Sequence, residues 1–172
     1  MEVEMNTDIN EVYSDGMAAF VGQDYSACID HLTEVLRLDN THKLALVSRG
    51  AAFMRTGNHK TAIVDFDRVI AIDPDYARAY HLRGLAREIE GDDKGALDDF
   101  NRAIALKPDY GAAYHSRATL HTKMGQMDDA AEDIRMVTHL TQQNIETFAN
   151  ENNVWRSNHM HLESILETEL NR

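Results

Sequence analysis

Cysteine occurs once in 172 residues, at position 28. No disulfide can close within the chain, which fits a reducing compartment. Proline occurs only at 74 and 108, and tryptophan only at 155. Basic residues are scarce: 17 Lys and Arg stand against 29 Asp and Glu, a formal charge of −12. That balance disfavours non-specific binding to nucleic acid or to an anionic membrane, both of which need basic surfaces. No apolar run approaches the roughly 20 residues of a membrane span. Residues 1–8 lack a basic start and an apolar core, so no signal peptide is expected and the cytoplasm is the expected location.

Motifs that carry chemistry are also missing. There is no phosphate-binding loop, no serine-nucleophile motif and no supported Cys/His pair. The acidic pairs Asp92-Asp93, Asp98-Asp99 and Asp128-Asp129 lack the alternating spacing of a calcium loop and read as caps and solvated helix faces. His159 and His161 are two apart, so on a helix they point apart and form no metal face. No catalytic residue, cofactor or metal site is expected, and the chain does not read as an enzyme.

What the sequence has is repetition. Asp73-Pro-Asp-Tyr-Ala-Arg-Ala-Tyr-His-Leu-Arg-Gly returns 34 residues later as Lys107-Pro-Asp-Tyr-Gly-Ala-Ala-Tyr-His-Ser-Arg-Ala. The same step aligns Gly57, Gly91 and Gly125, and it aligns Gly16, Gly50, Gly84 and Ala118. It also aligns Cys28, Ala62, Ala96 and Ala130, and Leu32, Phe66, Phe100 and Ile134. Asn40, Pro74, Pro108 and Gln142 mark the unit ends. A fixed period of this length signals stacked units rather than one central core.

Each unit reads as two helices. In the third, a first helix ends at Gly91, where glycine suits a left-handed cap, and Asp92 or Asp93 caps the next start. Ala96, Leu97, Phe100, Ala103 and Ile104 then follow helical spacing until Pro108 stops the helix. Gly84 and Ala96 let the two helices approach closely, with Phe100 beside them. Cys28, in the small-residue column, reads as a buried apolar side chain. Arg49, Arg83 and Arg117 recur in register, as do Asp65, Asp99 and Asp133, and each Arg is expected to pair with an acid of its own or the adjacent unit.

Tyr80, Gly84, Gly91, Ala96, Phe100, Ala103 and Pro108, with their counterparts, resemble the tetratricopeptide repeat family. The resemblance implies an all-α fold, an α-solenoid of antiparallel helix pairs in four units, about 9–42, 43–76, 77–110 and 111–143. Unit one departs from the pattern: its glycine is Gly22, one place early, Val12 replaces the aromatic and Asn40 the proline. A worn terminal unit is expected where one face is unstacked. Beyond Gln142 the repeat fades. Residues 144–156 read as a capping helix, and Leu162, Ile165, Leu166 and Leu170 suggest a short amphipathic tail helix over 157–172. That tail would dock on its own solenoid, fray or self-associate.

In this family the first helices line a concave face that usually receives a peptide. Carried over position by position, the implied groove residues are Tyr13, Met17 and Phe20 in unit one and Val47, Ser48, Ala51, Met54 and Arg55 in unit two. Unit three contributes Arg78, His81, Leu82, Leu85, Glu88 and Ile89. Unit four contributes Ala112, His115, Ser116, Thr119, Thr122 and Lys123. His81 and His115 share a register and read as solvated groove histidines. One branch of the family clamps chaperone carboxylates with Lys, Asn and Arg. The matching places here hold Tyr13, Met17, Ser48, Arg78 and Leu82, so that clamp is not expected. The expected role is a non-enzymatic scaffold or adaptor that binds a peptide or partner protein. The alternatives are a client-specific chaperone, similar to small acidic repeat chaperones of secretion systems, and a self-assembling protein that associates through unit one or the tail.

Overall fold

The structure, a computed structural model, describes residues 8–151, with side chains to residue 147. Every regular element among the described residues is helical: α1 (Ile9–Val21), α2 (Tyr25–Leu38), α3 (Lys43–Arg55), α4 (His59–Ile72), α5 (Ala77–Ile89), α6 (Asp93–Leu106), α7 (Gly111–Lys123) and α8 (Met127–Glu151). They pack in sequence order as hairpins α1–α2, α3–α4, α5–α6 and α7–α8. Each first helix also meets the next first helix, α1 with α3, α3 with α5 and α5 with α7. The odd-numbered helices therefore form a continuous inner layer.

The turns follow from single residues. Gly57, Gly91 and Gly125 adopt φ of +78°, +85° and +76°, the left-handed geometry that glycine enters without steric cost. Asp24 and Asp92 then cap α2 and α6 by accepting hydrogen bonds from the backbone N–H groups of Ala27 and Gly95. In unit one the left-handed position falls to Gln23, at φ +64°, while Gly22 is ordinary right-handed backbone. A left-handed residue with a Cβ costs roughly 1–2 kcal/mol, partly offset by the larger entropy that glycine loses on folding. Gln23→Gly is expected to raise Tm by roughly 2–4 °C, the equivalent of about 1 kcal/mol. An unchanged or lowered Tm in a calorimetric scan would refute this account of the worn turn.

Close approach within each hairpin has the expected cause. A Cβ on Gly84 would lie 2.6 Å from Phe100 Cε1, and one on Gly50 would lie 2.6 Å from Phe66 Cε1. Both rings are fully buried, so a methyl group there would meet aromatic carbon that has no room to move. Cys28 is also fully buried, and burial pushes its thiol pKa above the ordinary value.

Arginines fasten the units together. Arg83 donates from Nε and Nη2 to both carboxylate oxygens of Asp99, at 2.9 and 2.6 Å. Its Nη1 donates to Asp67 on the preceding hairpin at 2.6 Å. Arg49 repeats the arrangement with Asp65 and Thr33, and Arg117 with Asp133 and Asn101. Each guanidinium thus ties its own first helix to its own second helix and to the second helix before it. The expected pairing holds, and these arginines are not a row of cations presented to a ligand. Burial works against the charge of Arg83, but its hydrogen bonds to Asp99 and Asp67 outweigh it and raise the pKa above its ordinary value.

One boundary differs from expectation. Residues 144–151 are not the start of a separate capping helix, because α8 runs unbroken from Met127 to Glu151. Gln142 stands where Pro74 and Pro108 follow the ends of α4 and α6, so no proline interrupts the last second helix there. The remainder of the expected capping helix, and the tail helix over 157–172, lie outside the described residues.

Candidate functional site

The inner layer carries a hollow of about 190 Å³ lined by Tyr13, Met17, Phe20, Leu44, Val47, Ser48, Ala51, Tyr76 and Arg78. Helices α1, α3 and α5 each contribute, so the site exists only once three units have stacked. Its floor and walls are mainly apolar. Val47 is buried, while Tyr13, Met17, Phe20 and Ser48 are half-buried. Arg78 is exposed at one edge. A second hollow of about 390 Å³ adjoins it, lined by Asp75, Tyr76, Ala77, Arg78, Leu106, Lys107 and Tyr110. Arg78 and Tyr76 belong to both, which places one cation between an apolar recess and a tyrosine-lined one.

The structure thus gathers Tyr13, Met17, Phe20, Val47, Ser48 and Arg78 into one place. Tyr76 and Leu44 complete it although neither was expected. The signal for Tyr76 was present in the repeated Pro-Asp-Tyr turn: His42, Tyr76 and Tyr110 occupy one register and stand at the starts of α3, α5 and α7. Each leans back on the preceding unit. His42 stacks on Tyr13 with ring centroids 5.1 Å apart. Tyr110 meets His81 edge-on at the same separation. Lys43 Nζ lies 4.8 Å from the Tyr76 ring centre, a cation over an aromatic face.

Other expected groove residues lie elsewhere. His81 is not solvated: it is 8% exposed, with Nε2 2.9 Å from Ser116 Oγ and Nδ1 3.1 Å from the Tyr110 hydroxyl. Burial, reinforced by the nearby charge of Arg78, lowers its pKa to about 4, so the imidazole is neutral at pH 7. Ser116 is buried with it, and these two tie α5 to α7 rather than face a ligand. Leu82 and Leu85 are half-buried and pack against the core, whereas Ile89 is 58% exposed. Met54 is half-buried. Arg55 donates to the Tyr25 hydroxyl at 3.1 Å. Lys123 pairs with Asp93 at 2.6 Å. His115 and Thr119 are exposed on α7, and Thr119 turns its hydroxyl to the His115 carbonyl.

No three His, Cys, Asp or Glu side chains among the described residues converge so as to hold a metal ion. Among the described residues, no helix is long and apolar enough to cross a membrane.

Comparison with known proteins agrees with the helical-repeat fold. Two family models match, one described as TPR repeat over residues 50–88 and one as tetratricopeptide repeat over residues 77–110. No curated protein sequence matches the chain. Among solved structures the chain is similar to MamA 41-end from Desulfovibrio magneticus RS-1, with 25% identity, 79% of this chain and 77% of that one covered, and a TM-score of 0.74. It is similar to the Sgt2 TPR domain from Aspergillus fumigatus, with 28% identity, 70% and 81% covered, and a TM-score of 0.65. It shares the fold of the first TPR of Spaghetti (RPAP3) bound to the HSP90 peptide SRMEEVD, with 22% identity, 70% and 98% covered, and a TM-score of 0.66. With matched models, matched structures and a 34-residue step that holds from the Gly16 column to α7, the chain belongs to the tetratricopeptide repeat family.

Proposed function

We propose that the chain is a non-enzymatic, cytoplasmic scaffold that holds a peptide segment of a partner protein against its inner layer. One observation carries this reading: α1, α3 and α5 converge on an apolar hollow with a single exposed cation, Arg78, at its edge. An apolar anchor side chain fits the recess between Met17, Phe20 and Ala51, while Arg78 meets a carboxylate or backbone carbonyl beside it. Methionine and aromatic walls favour such anchors, since they supply adaptable apolar contact. The fold neighbour RPAP3 in complex with a peptide, and the protein-binding character of this repeat family, support a binding rather than a catalytic role.

The test is selection from a displayed peptide library on the full chain, followed by binding of the selected peptides in solution. Met17→Glu and Arg78→Glu are expected to weaken binding about tenfold or more, at least about 1.4 kcal/mol, with an unchanged helical spectrum and Tm. Selected peptides that bind both variants as tightly as the unaltered chain would place the working surface elsewhere.

A further inference from the structure

First helices meet the second helix before them through recurring columns. Arg49, Arg83 and Arg117 donate from Nη1 to Thr33, Asp67 and Asn101, 16 residues back, at 3.0, 2.6 and 2.7 Å. Nearer the hairpin turns, Arg55 meets Tyr25 and Lys123 meets Asp93, each 30 residues back. Between these polar ties stand Ala52, Ala86 and Leu120 on the first helices and Leu32, Phe66 and Phe100 on the second, all fully buried. Two surfaces hold the same columns without a neighbour among the described residues. On α8 the columns reach Arg135, Met127 and Ile134; on α1 they reach Asp15, Val21 and Ala18. All six residues are exposed. Val21 and Met127, at 80% and 60%, are the two most exposed large apolar side chains among the described residues.

Matched in that register, the two surfaces are complementary. Asp15 falls on Arg135, an ion pair with the internal polarity reversed. Arg135 donates from Nε to the Ala131 carbonyl at 3.1 Å, which leaves its Nη groups for a carboxylate. Val21 falls on Met127, and Ala18 on Ile134. The inner edge continues the pattern. His81 is held by Ser116 and Tyr110 of the next unit. One period on, His115 is exposed, and the columns of Ser116 and Tyr110 hold Ser14 and Asp8 at the start of the chain. Glu11 stands in the column of the buried Ala45, Ala79 and Ala113, and the antiparallel run of the pairs brings it level with His139. Acids on the α1 side thus meet bases on the α8 side. We propose that α1 of a second copy docks on α8 of the first, in the place of a fifth unit's first helix, so that copies join head to tail. Such a contact is heterologous: it leaves one free face of each kind, and the assembly extends unless it closes into a ring. Tyr13, Met17 and Phe20 line the inner hollow and take no part in the seam, so joined copies present their hollows along one continuous inner layer.

Sedimentation velocity of the full chain at rising concentration tests this. The average mass is expected to grow with concentration. Asp15→Arg and Arg135→Asp should each weaken association at least about tenfold, because like charges then face each other across the seam. Both positions are exposed, so neither change opens the core, and an unchanged helical spectrum checks the fold. The decisive arm is the mixture of the two single variants. Each variant's altered face then meets an opposite charge on the other, and association should return. The chain carrying both changes should associate as the unaltered one does. A chain that stays monomeric at every concentration, its seam covered by another segment or reserved for another protein, would overturn the proposal. So would association that Arg135→Asp abolishes and Asp15→Arg leaves intact, which would mean that α8 pairs with itself. Single variants that associate no better when mixed would overturn it as well.

Discussion

Asp99→Ala is expected to destabilise the fold by about 3–5 kcal/mol, the cost of removing one partner from a buried ion pair. Asp99 is 3% exposed. It accepts two hydrogen bonds from Arg83 and a third from Arg87 Nη1 at 2.9 Å. Without the carboxylate, the Arg83 guanidinium remains between three helices with its side chain only 14% exposed and only Asp67 to meet it. Urea denaturation of the full chain measures the loss. The neighbouring exposed Asp98 is the control, since Asp98→Ala should stay within about 0.5 kcal/mol of the unaltered chain. Arg83→Met with Asp99→Leu should recover much of the loss, because apolar replacement of both partners removes the unpaired charge. A cost below about 1 kcal/mol for Asp99→Ala would equate this network with a surface ion pair and refute its role in fastening the units.

Acidification is expected to remove about 3 kcal/mol through His81 alone. Its folded pKa of about 4 lies below the ordinary 6.5, and each pH unit of difference corresponds to about 1.4 kcal/mol. The sign follows from proton binding. Between pH 6.5 and 4 the unfolded chain takes up a proton that the folded chain refuses, so stability is fully present above about 6.5 and is lost as pH falls towards 4. Protonation would force a charge into the contact between α5 and α7, close to Arg78, with only the Ser116 and Tyr110 hydroxyls as partners. Paired denaturation of the unaltered chain and His81→Gln, which cannot titrate, isolates this contribution from that of the carboxylates. The stability difference between the two should shift by about 3 kcal/mol against the unaltered chain from pH 7 to 4. A difference that stays flat with pH would mean that His81 is solvated in solution.

The repeat architecture was legible because its determinants are local. Gly57, Gly91 and Gly125 each supply a left-handed turn, Pro74 and Pro108 each end a helix, and Gly50 and Gly84 each admit one ring. These constraints act within a few residues or within one hairpin, and a 34-residue step exposes them. The pairing of Arg49, Arg83 and Arg117 with acids 16 residues on was legible for the same reason, since partners that repeat together stay in register.

The inner surface was only half legible. Tyr13, Met17, Phe20, Val47, Ser48 and Arg78 were expected together and meet in one hollow. His81 and His115 share a register and were expected to behave alike, yet one is buried and the other exposed. The difference lies in neither residue nor its helix. His81 is covered by Tyr110 and Ser116 of the next unit, whereas no further unit among the described residues stands over His115. By itself the sequence determined the helix pairs, their turns and the residues offered to the inner layer, because those depend on steric and hydrogen-bonding preferences of neighbours along the chain. Which offered residues remain accessible was decided only by the tertiary structure, because burial of a first-helix side chain depends on what the following unit lays over it.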